Sequence, residues 1–398
     1  MNRIWAGTDC GKNHHHCLVL NTEGDTLLSR RVANDEPELL ELIGDVLDLA
    51  DGAHVTWAMD MTGGEPALLI ELLIAHGQEL VYIPCIAVNR ATDSYRGEGK
   101  TDARDAKVIG DQARMRRDLQ PIRAGDEAAI ELRLLTERRS DLVEDRTRAL
   151  NRLKSLLNGM FPALEWALDV SRVGVLVFLT GYQSPAVIRR AGQRRLTTWL
   201  RNRRVYRPEA LAAKAVEAAE RQHTAVAGEK AISEMVHTLA REVMTFNEKI
   251  TEVDKLIEGR FRGHELADVI TSMPGIGAVL GAELLAATGG SMDAFPTPDR
   301  LAAFAGVAPA PRDSGQVSGN LHRPRRYHRR MQRVFYQSAL VSIRCDPNSR
   351  RFYDRKRAEG KRHIQAVLAL ARRRVNVLWA LIRDRRCYTV TPPAARGA

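Results

Sequence analysis

An α/β domain followed by an all-α remainder is the fold class predicted by this 398-residue sequence. Three observations carry it. Three closely spaced strand-like runs open the chain and give way to alternating strands and helices. Two long, charged helical stretches fill the middle, and the last third is a series of apolar-striped helices punctuated by glycine and proline. The implied boundaries are 1–125 for the α/β domain, 126–262 for a helical, coiled-coil-like middle, 263–388 for a helical C-terminal domain and 389–398 for a disordered tail.

The runs Ile4 to Asp9, His15 to Leu20 and Thr26 to Ala33 read as strands, with turn chemistry in NTEGD at Asn21 to Asp25. Short connections require antiparallel pairing, so these strands form a meander. Glu36 to Leu49 has the spacing of an amphipathic helix and His54 to Met59 that of a buried strand. Pro66 to His76 follows as a second helix with Gly77 as its C-cap, then Glu79 to Pro84 as a further apolar strand. Strands that alternate with helices pair in parallel. GTDCG, from Gly7 to Gly11, is too short for a phosphate loop and reads as a turn supporting Asp9. His14, His15 and His16 point alternately to opposite faces of a strand, which suits packing and exposure better than joint metal ligation.

KTDARDAK, from Lys100 to Lys107, sets Asp102 and Asp105 three residues apart, on one face if the segment is helical. Asp9 and Asp60 each end a strand-like run and could face that helix. Four carboxylates converging in this way repel one another unless a divalent cation neutralises them, which makes magnesium the expected metal, or manganese in its place.

From 126 to 157 leucines recur at helical spacing among interleaved acids and arginines, a pattern of self-association or bracing. Phe161 to Arg204 adds short helices with basic ends, and Pro208 to Ile257 reads as a second long helix, completing an antiparallel stalk. Ile270 to Gly289 resembles a helix-hairpin-helix whose turn, with Gly275 and Gly277, would hold DNA phosphates through backbone N–H groups. After the helix Leu301 to Ala305 comes GVAPAPRDSGQVSGNLHRPRRYHRR. There Ser314 has a flexible Gly315 behind it, Ser318 is a rival four residues on, and Arg323, Arg325, Arg326, Arg329, Arg330 and Arg333 form a cationic field. Phe335 to Arg344 and His363 to Arg383 read as helices around a basic turn, KRAEGKR, that includes Lys361 and Arg362; Tyr327 is a candidate nucleic-acid contact.

A formal net charge of +11, carried largely by arginine, points to a polyanionic partner, nucleic acid first. Five scattered cysteines, Cys10, Cys17, Cys85, Cys345 and Cys387, show neither a disulfide framework nor zinc-ligand spacing. With no apolar stretch long enough to cross a bilayer and no long apolar h-region in the start MNRIWAGTDCGK, the expectation is a cytoplasmic protein with no membrane partner.

The meander followed by strand and helix alternation is the layout of ribonuclease H-like folds, and the N-terminal third resembles a RuvC-like nuclease domain. Taken with MPGIG, AFAGVAPAPRDSG, NLHRPRRY, FYDRKRAEGKRH and ALARRRVNVLWALIRD, the chain resembles the IS-one-ten family of insertion-sequence transposases, the DEDD transposases, up to about Asp384. The resemblance implies a recombinase that cuts and rejoins DNA with a metal-binding acidic centre and a serine in the C-terminal domain. It also implies a structured, element-encoded guide RNA that pairs with donor and target DNA, assembly as a dimer to tetramer, and a place at the bacterial nucleoid.

Matched position by position, the family's four acids fall on Asp9, Asp60, Asp102 and Asp105 and its nucleophile on Ser314. The family's second acid is usually Glu, so Asp60 is one methylene shorter. Two other readings stay open on the residues alone: a metal-dependent junction nuclease with no covalent intermediate, and an inactive nucleic-acid-binding scaffold.

Overall fold

Alternating burial along RIWAGTDC makes a strand of Arg3–Cys10 (β1), and a turn at Gly11 returns the chain antiparallel as His14–Leu20 (β2). The computed structural model describes residues 3–61, 64–83, 88, 91–92, 95, 101–116, 119–122, 127–290, 292, 295–315 and 318–390. Lys100, Pro84, Cys85 and tail residues 391–398 lie outside them. Thr26–Ala33 (β3) continues the meander, whereas His54–Met59 (β4) and Glu79–Tyr82 (β5) join in parallel and Gln120–Ile122 (β6) closes the edge antiparallel. The sheet order is β3-β2-β1-β4-β5-β6, with β1 central. The sequence pattern does not announce β6, which is three residues long and contains Pro121, a residue that sheets accept at an edge.

Helices cover both faces. Glu36–Ala50 (α1) starts at Asp35, whose side chain accepts from the Glu38 N–H, and Ala67–Ala75 (α2) ends before Gly77. Both pack on one face, where Leu39, Leu42, Ile43, Val46, Leu69 and Leu73 meet Trp57 and Val19. Asp102–Met115 (α3) covers the other, with Val108, Ile109 and Ala113 against Ala58, Val81 and Ile83.

This α/β part is one of two compact units, Met1–Asp126; the other is Glu127–Ala398. In the second unit Glu127–Met160 (α4) and Glu229–Arg262 (α9) lie antiparallel. Glu131 pairs with Arg260 at 3.0 Å, Arg139 pairs with Asp254, and Ser233 donates to the Met160 sulfur. Around one end of the pair, Pro162–Ala167 (α5), Val173–Leu179 (α6), Pro185–Asn202 (α7) and Pro208–Glu220 (α8) build a core on Phe161, Phe178, Leu196 and Leu200 with Val236 and Val243 of α9. Around the other end, Ile257, Phe261 and Leu132 join a second core. It is completed by Ala267–Ser272 (α10), Ala278–Thr288 (α11), Pro298–Phe304 (α12), Arg329–Cys345 (α13), Pro347–Ala358 (α14) and His363–Arg383 (α15).

Three boundaries differ from expectation. The stretch 208–257 is two helices, broken over 221–228 where Thr224 and Val226 are poor helix formers and Gly228 takes a left-handed φ of 78°. Helix α13 begins six residues before Phe335 because His328 caps it, accepting from the Met331 N–H at 3.2 Å. The first residues of KRAEGKR are the last turn of α14, and the chain reverses only at Gly360, φ 83°. Among the described residues, no helix is long and apolar enough to cross a membrane.

Candidate active site and nucleic-acid interface

The acidic residues are placed by one close contact. Gly7 lies in the middle of β1, and a Cβ there would stand 2.2 Å from both Ala106 O and Gly110 N, so α3 rests on the strand backbone to backbone. Asp9 is two residues along and therefore projects from the same side of β1 as Gly7. Asp102, Ala106 and Gly110 form one stripe of α3, so the contact at Ala106 and Gly110 carries the first turn toward the end of the strand. The Thr101 side chain caps that turn by accepting from the Arg104 N–H at 3.2 Å, and both Asp102 and Asp105 sit where the helix dipole favours anions.

Electrostatic neighbours give the same arrangement. His16 pairs directly with Asp9 across β1 and β2. Its pKa is lowered by burial, opposed by the nearby carboxylate of Asp102. The strand register puts Asp9 and Asp60 at adjacent positions just beyond the Thr8–Met59 pair, and the Cys10 thiol beside them is pushed up by burial and then by Asp60 and Asp9. Asp105 shares the first turn with Asp102. A fifth acid, Glu65, also acts on Cys10 and His15; no spacing marks it in the sequence. Among the described residues, no three His, Cys, Asp or Glu side chains already stand as a set of metal ligands. The donor type nevertheless fits a hard cation: Asp9, Asp60, Asp102 and Asp105 offer carboxylate oxygens, and burial favours the neutral thiol of Cys10. His15 is buried, His16 bonds the Ser29 hydroxyl at 2.9 Å and His14 is exposed, so the three histidines do not act together.

Ser314 lies, exposed, in a loop closed by a two-residue hairpin, Ala310–Pro311 (β7) with Leu321–His322 (β8). The loop is clasped below the serine. Arg312 N donates to Asn320 O at 2.9 Å, Asn320 N to Asp313 Oδ1 at 2.9 Å, and the Asn320 amide to Arg312 O at 3.2 Å. Ser318 is exposed in the same loop. His328 is occupied structurally, as the cap of α13 and stacked on Phe304 at 4.9 Å, while His322 is an exposed hairpin residue.

The cationic field divides into committed and uncommitted side chains. Arg330 reaches Glu137 at 3.3 Å, and Arg333 pairs with Glu283, a carboxylate only 3% exposed whose pKa burial raises against the opposing pull of Arg333. A lone acid inside the apolar helix AVLGAELLAAT is the sequence signal that marks Glu283. Arg325, Arg326 and Arg329 are exposed and have no carboxylate in ion-pair range among the described residues; Arg323 donates to the Tyr327 hydroxyl at 3.1 Å. Tyr327 lays its ring over Gly306, leaving it half-buried. Lys361 and Arg362 are exposed at the start of α15.

The turn between α10 and α11 has two different sides. Gly275, φ 84°, faces α13, where a Cβ would stand 2.6 Å from Ser338 O. Gly277 is exposed, extended and open. Beneath the turn, the buried Arg374 guanidinium donates to Pro274 O and to the Ser338 hydroxyl, and burial lowers its pKa to about 10. Nothing in the local pattern of ARRRVNV distinguishes Arg374 from the half-buried Arg372 or the exposed Arg373.

Residues 6–162 match the family model DEDD_Tnp_IS110, described as a transposase, and residues 267–354 match that described as "Transposase IS116/IS110/IS902 family". The chain is 58% identical to the insertion element IS900 uncharacterized 42 kDa protein of Mycobacterium paratuberculosis, over 97% of each chain. It is 48% identical to the insertion element IS116 uncharacterized 44.8 kDa protein of Streptomyces clavuligerus, covering 100% of this chain and 99% of the relative. A mini-circle putative transposase for IS117 from Streptomyces coelicolor is 25% identical over 97% of this chain and 95% of its own length.

Proposed function

The chain belongs to the IS110/IS116/IS902 family and is a DNA transposase, and from that premise we propose that it joins a RuvC-like carboxylate centre to a serine nucleophile. The observation that carries the first half is the seating of α3 on Gly7, which brings Asp102 to His16 and so to Asp9, beside Asp60. The sheet order, with a three-stranded meander and two parallel strands added beside β1, supports the RuvC-like reading. Asp9, Asp60, Asp102 and Asp105 would hold magnesium or manganese, and such a cation supplies charge neutralisation at a phosphoryl oxygen.

Ser314 Oγ attacks a DNA phosphorus. The Oγ–P bond forms, one backbone P–O bond breaks, the serine proton passes to solvent, and the departing DNA oxygen leaves as a hydroxyl after taking a proton from solvent. Rejoining is the same exchange with a DNA hydroxyl as the attacking group. The exposed Arg325, Arg326 and Arg329 stabilise charge on the phosphoryl oxygens, and the Asp313–Asn320 clasp holds the loop that presents the serine. A structured element-encoded RNA guides donor and target DNA, bound with the help of the Gly275–Gly277 turn, Lys361 and Arg362, and protomers assemble as dimers to tetramers at the nucleoid. The net charge of +11 supports a nucleic-acid partner of that extent.

The test is a denaturing gel of the protein with magnesium, the element-flanking RNA and labelled donor and target DNA. Labelled DNA migrating with wild-type protein, and absent with Ser314→Ala, is the expected outcome. Cleavage without an adduct in either lane would replace the serine mechanism with hydrolysis at the carboxylate centre.

A further inference from the structure

Between Val170 and Pro208 the chain carries nine arginines and no Asp, Glu or Lys. None of these arginines belongs to the C-terminal cationic field. They are borne by the residue that caps α6, by α7 and by the turn into α8, around the core that α9 contributes to through Val236 rather than through Ile257. At 1.5 Å per residue those two points lie roughly 30 Å apart along one helix, so this is a separate surface of the second unit.

Its geometry is ordered by a break in α7. Gly192, φ 66°, interrupts the helix, and beyond it Leu196 and Leu200 are buried on one side. Arg194, Arg195, Thr198, Arg201 and Asn202 are exposed on the opposite side, within about a third of the helix circumference. The turn that follows adds Arg204 and Arg207, both in left-handed backbone conformations, φ 56° and 49°, where an L side chain meets steric resistance and glycine or asparagine is the usual occupant. Arginine held at such positions is an outlier of the kind that marks a functional constraint.

Several of these side chains are already engaged. Arg189 donates to the carbonyls of Ala219 and Gln222, Arg201 pairs with Glu209, and Arg203 lies 3.7 Å over the Trp199 ring. For Arg190, Arg194, Arg195 and Arg204 there is no carboxylate in ion-pair range among the described residues, and all four are exposed. Arg172 pairs with Asp169 and Arg201 with Glu209, but guanidinium groups that so outnumber the acids beside them repel one another and are complementary to a regular polyanion.

We propose that this stripe and turn form a second nucleic-acid surface, which grips the sugar–phosphate backbone of duplex DNA without reading its sequence. Duplex DNA is favoured because the family acts on DNA and because the aromatic rings here are overlaid: Arg203 covers Trp199, and Arg207 lies 5.2 Å over Tyr206. Such a surface holds phosphates better than it stacks unpaired bases. Of the functional reading, the inference uses only the family's action on DNA; it stands or falls independently of Ser314 and the carboxylate centre.

The experiment uses the full chain and a labelled duplex of arbitrary sequence, with binding followed by fluorescence anisotropy across a salt series. Replacing Arg194, Arg195 and Arg204 together by Ala should weaken binding tenfold or more. It should also reduce the slope of log K against log salt by about 0.9 for each phosphate no longer neutralised, hence by about two to three. The matching triple Lys variant should keep the slope. R195Q alone, a change at an exposed position, should lower it by about 0.9 and gives the same reading if the triple variant misfolds. An unchanged slope in R195Q and the triple Ala variant overturns the proposal. So does loss of binding to labelled RNA with duplex DNA binding intact, or a changed oligomeric mass with duplex binding intact, which would make the surface a site for RNA or for a second copy of the chain.

Discussion

Gly7 of β1 and Gly110 of α3 pack backbone against backbone, and the contact is unequal: a Cβ on Gly7 would stand 2.2 Å from Gly110 N, whereas one on Gly110 would stand 3.3 Å from Gly7 N. The first distance requires the helix to move. The second asks only for a shift of a few tenths of an ångström. Gly7→Ala should therefore destabilise the first unit by about 2 kcal/mol or more, and Gly110→Ala by about 1 kcal/mol or less. Strand cleavage should fall much further in Gly7→Ala, because the displaced helix carries Asp102 away from Asp9. Urea denaturation together with a cleavage assay checks both; equal effects of the two substitutions would show that this contact does not set the acids' positions.

That contact shows where a sequence reading stops. The strands from Arg3 to Ala33 and the pair Asp102 and Asp105 are legible because their signals are local, alternation in one case and a three-residue interval in the other. That Gly7 meets Gly110 is a relation between residues more than a hundred positions apart, and nothing in either neighbourhood encodes it. The same holds for the hairpin of β7 and β8, too short to have a period, and for Arg374, whose partners Pro274 and Ser338 lie on other elements. The break before α9 is hidden because alanines and glutamates on both sides are strong helix formers and conceal the weak residues between them.

The proposed carboxylate centre yields a prediction that separates chemistry from binding. Asp105 occupies the first turn of α3, where an amide side chain is sterically equivalent and the Thr101 cap is untouched. Asp105→Asn should abolish strand cleavage while RNA binding stays within about threefold of wild type, a difference under 1 kcal/mol. Loss of RNA binding in a protein whose circular dichroism is unchanged would show that the acids also contribute to the proposed RNA contact.

A pH effect follows from Glu283. Burial raises its carboxyl above the ordinary range, so the native state holds this proton more tightly than the unfolded chain. The stability it contributes is full below the unfolded pKa and is lost as pH rises through the raised folded value. Arg333 opposes that loss by stabilising the charged form. Arg333→Ala should therefore destabilise the protein by about 1–2 kcal/mol near pH 8, a figure reduced because the Arg333 side chain is 44% exposed, and by less near pH 5. Adding Glu283→Gln should remove the pH dependence of the difference. Thermal unfolding of the three proteins across that range is the check; a difference that stays constant with pH would assign the effect of Arg333 to packing.

The turn between α10 and α11 allows packing and nucleic-acid contact to be told apart within three residues. Gly275 adopts a left-handed φ of 84° with its α-carbon against the backbone of α13, so alanine there meets both conformational strain and a 2.6 Å contact with Ser338 O. Gly277 has an extended backbone and open space around it. Gly275→Ala should cost about 2 kcal/mol or more and weaken nucleic-acid binding only as a consequence of unfolding. Gly277→Ala should leave the unfolding midpoint unchanged. If the turn and the start of α11 hold a phosphate through backbone N–H groups, the added methyl at Gly277 stands where the backbone must be approached, and binding should weaken severalfold in a protein of wild-type stability. Wild-type affinity in Gly277→Ala would leave Gly275 with a packing role and remove the turn from the nucleic-acid surface.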